Sequence, residues 1–179
     1  MKIVNAYKTI RNKKALDIPA AQAILEEKSM PCAREWMKDA HNCLLTGDLV
    51  NEVHNTSFTP GTLGYRYHAW LNERNLPINP ISEKATRFEG IESEKVFVSN
   101  LGIVHDLLHV SEGYDTDTLG EAELAAWTWG NLNDKGLRYL LSIYAITHPL
   151  SIPRLIKAYI KGVRSPKATK VDWLTKVKV

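Results

Sequence analysis

The sequence is short of cysteine and of long apolar runs, and each shortage excludes a class of protein. Cys32 and Cys43 are the only cysteines among 179 residues, too few for the disulfide framework of a small secreted protein. If one helix carried both, their Cα atoms would lie roughly 16 Å apart, beyond the reach of a disulfide. No apolar run approaches the ~18 residues that span a bilayer. We therefore expect reduced thiols, an intracellular location and no membrane-spanning helix.

An excess of charge is also lacking. The formal net charge is +3, and no arginine-rich stripe with interleaved aromatic residues accompanies it, which argues against nucleic-acid binding. Residues 151–179 hold 8 Lys and Arg against the single Asp172, whereas residues 1–150 hold 15 against 19 acidic residues. The sequence thus predicts a basic C-terminal segment on a mildly acidic body. Residues 1–17 lack the apolar core of a signal peptide and predict a basic first helix.

Strand signals are scarce, whereas helix start and stop signals recur along the chain. The prediction is an all-α protein, with residues 1–179 forming a single-domain helical bundle. SEKVFVSNLGIVHDLLHVSEG is apolar on nearly every side, so we expect it to be the buried central helix, ended by Gly113 in a left-handed cap. Other helices are predicted from Pro19, between Ser29 as N-cap and Gly47 just past the end, and from about Gly120 to Asn133. Further helices are predicted over TPGTLGYRYHAWLNERN, LRYLLSIYAITHPL and IPRLIKAYIKGVR. NLPINPIS is predicted to be a linker.

The predicted central helix carries the chemistry of the chain, in HDLLHVSEGYDTDTLGE. Residues four apart lie about 40° apart around a helix, so His105 and His109 can present both imidazoles to one ion. Asp106 falls in the same arc and is a candidate ligand or general base for a metal-bound water. Glu121 follows a loop long enough to return the chain. Two imidazoles and two carboxylates suit zinc, iron or manganese, whereas magnesium would be unusual.

The same residues also have structural interpretations. Thr118 and Glu121 match a capping box, in which the glutamate satisfies a backbone N–H. His105 and His109 could be core histidines bonded to carbonyl groups. The sequence gives no comparable grouping around the other four histidines, and two aspartates of the loop are expected to shape it through bonds to the backbone. The four histidines are His41, His54, His68 and His148, and the two loop aspartates are Asp115 and Asp117.

The pattern H-D-x-x-H, eleven residues, then E resembles the metal motif of the coenzyme Q biosynthesis protein 4 family. GYDTDTLGEAELA resembles that family's loop and following helix, and PGTLGYRYHAWL resembles its glycine-containing entry to a long helix. Together the three features cover about a third of the chain. The chain departs from the family at NLPINPIS, at Gly102-Ile103, where the family usually has Arg-Glu, and after VDWLTKVKV, where homologues generally continue.

The resemblance implies an all-helical and often dimeric protein that attaches peripherally to membranes and binds polyprenyl lipids. It implies a divalent metal, zinc before iron, manganese or magnesium, held by His105, Asp106, His109 and Glu121, with Asp106 as the catalytic residue. The family supports ubiquinone synthesis, either by metal-dependent oxidative decarboxylation at ring carbon one of a prenylated precursor or by organising the other quinone-biosynthesis proteins. The implied location is the cytoplasmic face of a bacterial membrane or the mitochondrial inner membrane.

Three further expectations concern particular segments, and the second of them rests on the resemblance. IPRLIKAYIKGVRSPKATK alternates apolar and basic residues as a helix in the headgroup layer would, although a core-packed helix with a solvated face has the same pattern. A non-catalytic prenyl-lipid scaffold would form its groove from the helix at 63–71 and the region 137–160. An HD-type phosphohydrolase would use His105 and Asp106 together with an upstream His and a downstream Asp, for which His68 and Asp134 are available.

Overall fold

The computed structural model describes residues 32–76 and 92–179, and every regular element within these ranges is helical. This confirms the predicted all-α class. The basic first helix, the helix starting at Pro19 and most of the predicted linker lie outside the described residues. The helices are α1 (residues 32–37), α2 (Asp48–Asn55), α3 (Leu63–Arg74), α4 (Glu92–Glu112), α5 (Thr118–Leu132), α6 (Lys135–Thr147), α7 (Ile152–Arg164) and α8 (Trp173–Lys176).

The described residues divide into two compact units. The first unit contains residues 36–76, 92–113 and 168–179, and the second contains residues 32–35 and 114–167. The histidine pair of the sequence motif lies in the first unit and Glu121 lies in the second. The expectation of a single domain over residues 1–179 stays a prediction.

Helix α4 is the buried helix of the first unit, as predicted. Its apolar side chains Phe97, Ile103 and Leu107 are almost fully buried, with α3, α2 and the 3-10 turn Asn42–Leu44 packed against it. Gly113 ends the helix at φ +76° and donates its N–H to His109 O at 3.0 Å. Only glycine adopts that left-handed backbone without a steric cost, so the sequence located this helix end correctly.

The prediction of one helix from Ser29 to Gly47 is wrong for the residues that the structure describes. Helix α1 stops at residue 37, and His41 is extended, with φ −60° and ψ 143°. The His41 N–H donates to Thr169 O at 2.7 Å, so pairing with the C-terminal segment replaces a helical hydrogen bond. Gly47 is the N-cap of α2 rather than the end of a helix.

The basic C-terminal segment is packed into the first unit. Trp173 is buried and donates its indole N–H to Ala168 O at 2.8 Å. The carbonyls of Val179 and Val177 accept the N–H groups of Leu63 and Gly64, each at 2.8 Å. The first N–H groups of a helix have no partner within the helix. The end of the chain therefore caps α3, which carries part of the surroundings of the histidine pair.

The second unit is built on the packing of α7 along α5, with α6 beside α5. A Cβ on Gly162 would collide with the backbone of Trp127, and a Cβ on Gly130 would collide with the backbone of Tyr159. These two glycines allow the helix backbones to approach closely. Asn131, fully buried, directs its amide NH₂ towards the carbonyls of Gly162, Ser165 and Pro166 and ties the end of α7 to α5.

Membrane-spanning segments were searched for among the described residues. None of their helices combines the length and the apolar character that crossing a bilayer requires.

Candidate metal centre

Two imidazoles meet on the last two turns of α4. Their Nε2 atoms lie 3.3 Å apart, and the ring planes of His105 and His109 cross at 87°. His109 is buried, at 2% exposure, whereas His105 is half-buried. The four-residue spacing thus places both Nε2 atoms on one side of the helix, as the sequence predicted.

The separation of the two nitrogens fits a shared ion. Nitrogens bound about 2.05 Å from a tetrahedral zinc lie about 3.3–3.4 Å from each other. A direct N–H···N hydrogen bond would bring the same atoms to about 2.9–3.0 Å, the usual value for a nitrogen donor. The observed 3.3 Å between the Nε2 atoms of His105 and His109 equals the edge of such a tetrahedron and also lies within hydrogen-bonding distance. The separation is therefore compatible with two metal ligands and with a hydrogen-bonded pair.

Helix α3 fixes the orientation of the buried imidazole. The Trp70 ring stacks on the His109 ring, with the centroids 5.8 Å apart and the planes 22° from parallel. Tyr67 stacks on Trp70 in turn, at 6.2 Å and 23°. Rotation of His109 about its side-chain bonds would displace this aromatic stack, so the ring is held with Nε2 towards His105.

Asp106 accepts a hydrogen bond from the same helix. The Tyr67 hydroxyl donates to Asp106 Oδ2 at 3.5 Å. Burial first, and then the negative charge of Asp106, raise the pKa of Tyr67 well above its ordinary value, so the phenol stays a neutral donor. At 3.5 Å this is a long contact that places one carboxylate oxygen of Asp106 on the side of α3, and the role of Asp106 as ligand or general base stays a prediction.

Glu121 stands in the first turn of α5 in the second unit and is half-buried. The predicted capping box is wrong: the N-cap is Asp117, whose Oδ1 accepts the N–H of Gly120 at 2.7 Å, rather than Thr118. A carboxylate is charged and short enough to reach the backbone, which makes Asp117 a good cap. A capping box between Thr118 and Glu121 is therefore excluded, while the position of Glu121 in the first turn is still favourable to the helix dipole.

The loop before α5 is shaped by aspartate bonds to the backbone, as the sequence predicted. Asp115 Oδ1 accepts the N–H of Thr116 at 2.7 Å, and Asp117 holds the helix start. A Cβ on Gly120 would collide with the backbone of Asp115, so the loop folds back closely over the first turn of α5. Both aspartates are thus engaged in shaping the connection.

The two residues that a phosphohydrolase would need have structural contacts of their own. His68 Nε2 lies 2.9 Å from Val53 O, and its ring meets Phe58 edge-on. Asp134 caps α6 by accepting the N–H of Leu137 at 2.9 Å. These contacts place His68 and Asp134 in local packing and capping, and they give the phosphohydrolase alternative no support.

Sequence reasoning missed one group of ligand-bearing side chains. His41, which was expected to be structural, lies beside Cys43 and Asp172 in the first unit. Asp172 is 129 positions after Cys43, and no local pattern connects residues so distant along the chain. Only the folded C-terminal segment brings them together.

Comparison with family models, with curated proteins and with solved structures found no match to this chain.

Proposed function

We propose that the protein holds a divalent metal ion, zinc before iron, manganese or magnesium, through His105 and His109. Glu121 and Asp106 are the further candidate ligands, Asp106 alternatively serving as general base. The observation that carries the proposal is the 3.3 Å separation of the two Nε2 atoms, the edge expected of a tetrahedral site. When bound, the ion would act as a Lewis acid that polarises and orients oxygen substituents of a ring.

The proposed reaction is oxidative decarboxylation at ring carbon one of a prenylated quinone precursor, with dioxygen from solution as the oxidant and carbon dioxide as the leaving product, and it is taken from the resemblance of the H-D-x-x-H…E motif. Residues of the described chain support specific parts of it. Trp70, which is partly exposed, places an aromatic ring beside His109, suited to contact with a flat ring, and the buried Tyr67 packs behind it. The Tyr67 hydroxyl keeps the Asp106 carboxylate in place, ready to accept a proton from a substrate hydroxyl or from water.

Attachment to a membrane surface belongs to the same proposal. Helix α7 divides into three faces, one buried against α5, one basic and one apolar and exposed. By helix geometry, the exposed apolar side chains form a stripe about 80° wide. They are Ile152, Ile156, Ile160 and Val163, and the basic side chains beside them are Arg154, Lys157, Lys161 and Arg164. A helix of this kind lies in the headgroup layer with its apolar side towards the acyl chains.

A second candidate function is a prenyl-lipid-binding scaffold that presents a precursor to other quinone-biosynthesis proteins. Exposed apolar side chains on the second unit favour it, namely Tyr139, Ile146 and Leu150 together with the stripe of α7. The part of the expected groove on α3 is not confirmed, because Leu63, Tyr67 and Leu71 are buried within the first unit. In either case a second copy of the chain and an intracellular, peripheral membrane location remain part of the proposal.

Metal analysis of variants tests the histidine pair. We expect His109→Ala to lower the bound metal by one ion per chain, because a buried ligand held by Trp70 is lost. The control is His54→Ala, an exposed histidine on α2, which should bind as much metal as the wild type. Circular dichroism should show the same helical content in all three proteins. Equal metal content in His109→Ala and His54→Ala would refute the assignment.

Lipid binding separates the two candidate functions. Both predict saturable binding of a prenylated aromatic acid, observed by native mass spectrometry. The enzyme predicts that metal-loaded protein releases carbon dioxide from that ligand, whereas the scaffold predicts recovery of the ligand unchanged. Protein that binds no prenylated ligand at any concentration would exclude both.

A further inference from the structure

A second group of metal-ligating side chains lies in the first unit, apart from the histidine pair of α4. His41 is the N-cap of the 3-10 turn Asn42–Leu44, Cys43 lies within that turn, and Asp172 is the N-cap of α8. One ligand atom from each, an imidazole nitrogen, a sulfur and a carboxylate oxygen, lies within 4.8 Å of the other two. Packing of the C-terminal segment places them there, since His41 N–H donates to Thr169 O and Cys43 Sγ lies 3.8 Å from Val171 O.

The imidazole is oriented with a lone pair towards the sulfur. His41 Nδ1 lies 3.2 Å from Cys43 Sγ and accepts the backbone N–H of Cys43 at 3.3 Å. A nitrogen that accepts an N–H carries no proton of its own. The single lone pair of Nδ1 is engaged by that N–H, so an ion bound through Nδ1 would replace the contact with the Cys43 backbone. The nitrogen and the sulfur come from residues only two apart around one 3-10 turn.

The carboxylate is also held in place. Asp172 Oδ1 accepts the N–H of Thr175 at 3.2 Å and Oδ2 accepts its hydroxyl at 2.6 Å. Each carboxylate oxygen has two lone pairs, so these bonds leave coordination sites on Asp172. Donors behind a carboxylate are typical support for a metal ligand. Because Asp172 is partly exposed, an ion has a route from solvent to a site whose thiol is buried.

The dimensions suit a small tetrahedral ion. Sulfur, nitrogen and oxygen ligands of zinc lie about 3.3–3.6 Å from each other, given bond lengths of about 2.0–2.3 Å. The pair His41 Nδ1 and Cys43 Sγ is already at 3.2 Å. The group as a whole lies within 4.8 Å, so closing it needs a shift of about 1 Å, shared among the His41, Cys43 and Asp172 side chains so that the bonds from Thr175 persist.

We propose that His41, Cys43 and Asp172 bind a zinc ion that fastens the C-terminal segment 168–179 to the turn at 41–44. A thiolate, an imidazole and a carboxylate provide three ligands, and water completes the tetrahedron. On binding, Cys43 releases its proton to solvent. The ion would link Cys43 to Asp172 and so close a loop of more than one hundred residues. In theory a cross-link stabilises a fold more when the loop it closes is longer, because the unfolded chain then loses more conformational entropy. The thiolate distinguishes this site from the histidine pair, which contains no sulfur.

Cobalt(II) titration of the reduced full-length chain tests the proposal, because a thiolate bound to cobalt produces a near-ultraviolet charge-transfer band. We expect the band to grow to one equivalent in the wild type and to be lost in Cys43→Ser. Cys32→Ser is the matched control, since Cys32 is the other buried cysteine and forms no disulfide, and it should retain the band. His109→Ala should retain it as well. No band in the wild type, or a band lost in Cys32→Ser and kept in Cys43→Ser, would overturn the proposal.

A surface substitution keeps the test decisive if Cys43→Ser does not fold. Asp172→Asn preserves helix capping and removes the ligand charge, so we expect the cobalt dissociation constant to rise at least about tenfold. Asp39→Asn is its control, because Asp39 pairs with Lys170 at 3.4 Å at the surface of the same segments but lies outside the group. Unchanged affinity in Asp172→Asn, or an equal loss in both variants, would contradict the proposed ligand set.

Discussion

The apolar stripe of α7 makes a quantitative prediction about membrane binding. Ile156 and Val163 are each 53% exposed, and burying a whole aliphatic side chain of this size contributes about 1.5–3 kcal/mol. Transfer of the exposed half to the acyl region should therefore contribute about 1 kcal/mol for each residue. The double substitution Ile156→Gln, Val163→Gln should weaken partitioning by about 2 kcal/mol, or roughly 30-fold.

Cosedimentation with vesicles that contain anionic lipid measures this partitioning. Folding should be preserved, because both side chains point to solvent and glutamine is a good helix former. The control is Tyr65→Gln, which removes a side chain of 45% exposure on α3, a residue that is not part of the stripe, and should leave partitioning unchanged. Added salt should weaken binding of the wild type, since the basic residues of α7 attract the anionic surface. Equal partitioning of the double variant and the wild type would refute the reasoning.

Three further predictions concern stability. Asn131→Leu should lower the free energy of unfolding by about 2–4 kcal/mol in urea titrations. The reason is that the Asn131 NH₂ group, which serves at most two carbonyls at a time, is the donor to buried carbonyls of the α7 end. A loss below about 0.5 kcal/mol would contradict this. Gly162→Ala should lower the free energy of unfolding by about 1–3 kcal/mol. Gly47→Ala, whose Cβ would meet only a side-chain atom at 3.8 Å, should lower it far less. Similar decreases in the two variants would be inconsistent with close packing of α7 on α5. Hydrogen bonding from Thr56 lowers the pKa of Glu52, so this carboxylate stabilises the fold above about pH 4.3 and the contribution disappears as pH falls through the lowered pKa. Glu52→Gln should therefore flatten the acid side of the stability profile, and an unchanged slope would count against it.

Local periodicity and termination signals were enough to predict the helices of greatest functional interest. The alternation of apolar and basic residues from Ile152 to Arg164 gave the bounds of α7. Gly113 marked the end of α4 because its backbone conformation requires glycine. The histidine pair was predictable for the same reason, since a spacing of four residues on a helix decides which side chains meet.

Tertiary pairing explains where the sequence was misleading. The segment from Ser29 to Gly47 has the composition of one helix, but the backbone of His41 pairs with Thr169, and no local window contains that partner. Thr118 and Asp117 are both good caps, and the choice between them depends on the fold of the preceding loop. The grouping of His41 and Cys43 with Asp172 could not be predicted either, because it too depends on a contact between segments that are distant in the sequence.

The central claim is that a metal held by His105 and His109 supports decarboxylation of a prenylated ring. The most direct test supplies metal-loaded, full-length protein with oxygen and a prenylated aromatic acid labelled in its carboxyl carbon, and measures release of labelled carbon dioxide. We predict release by the wild type and by His54→Ala, and a rate at least about 100-fold lower for His109→Ala. The absence of release by the wild type, or equal rates for His109→Ala and His54→Ala, would contradict the claim.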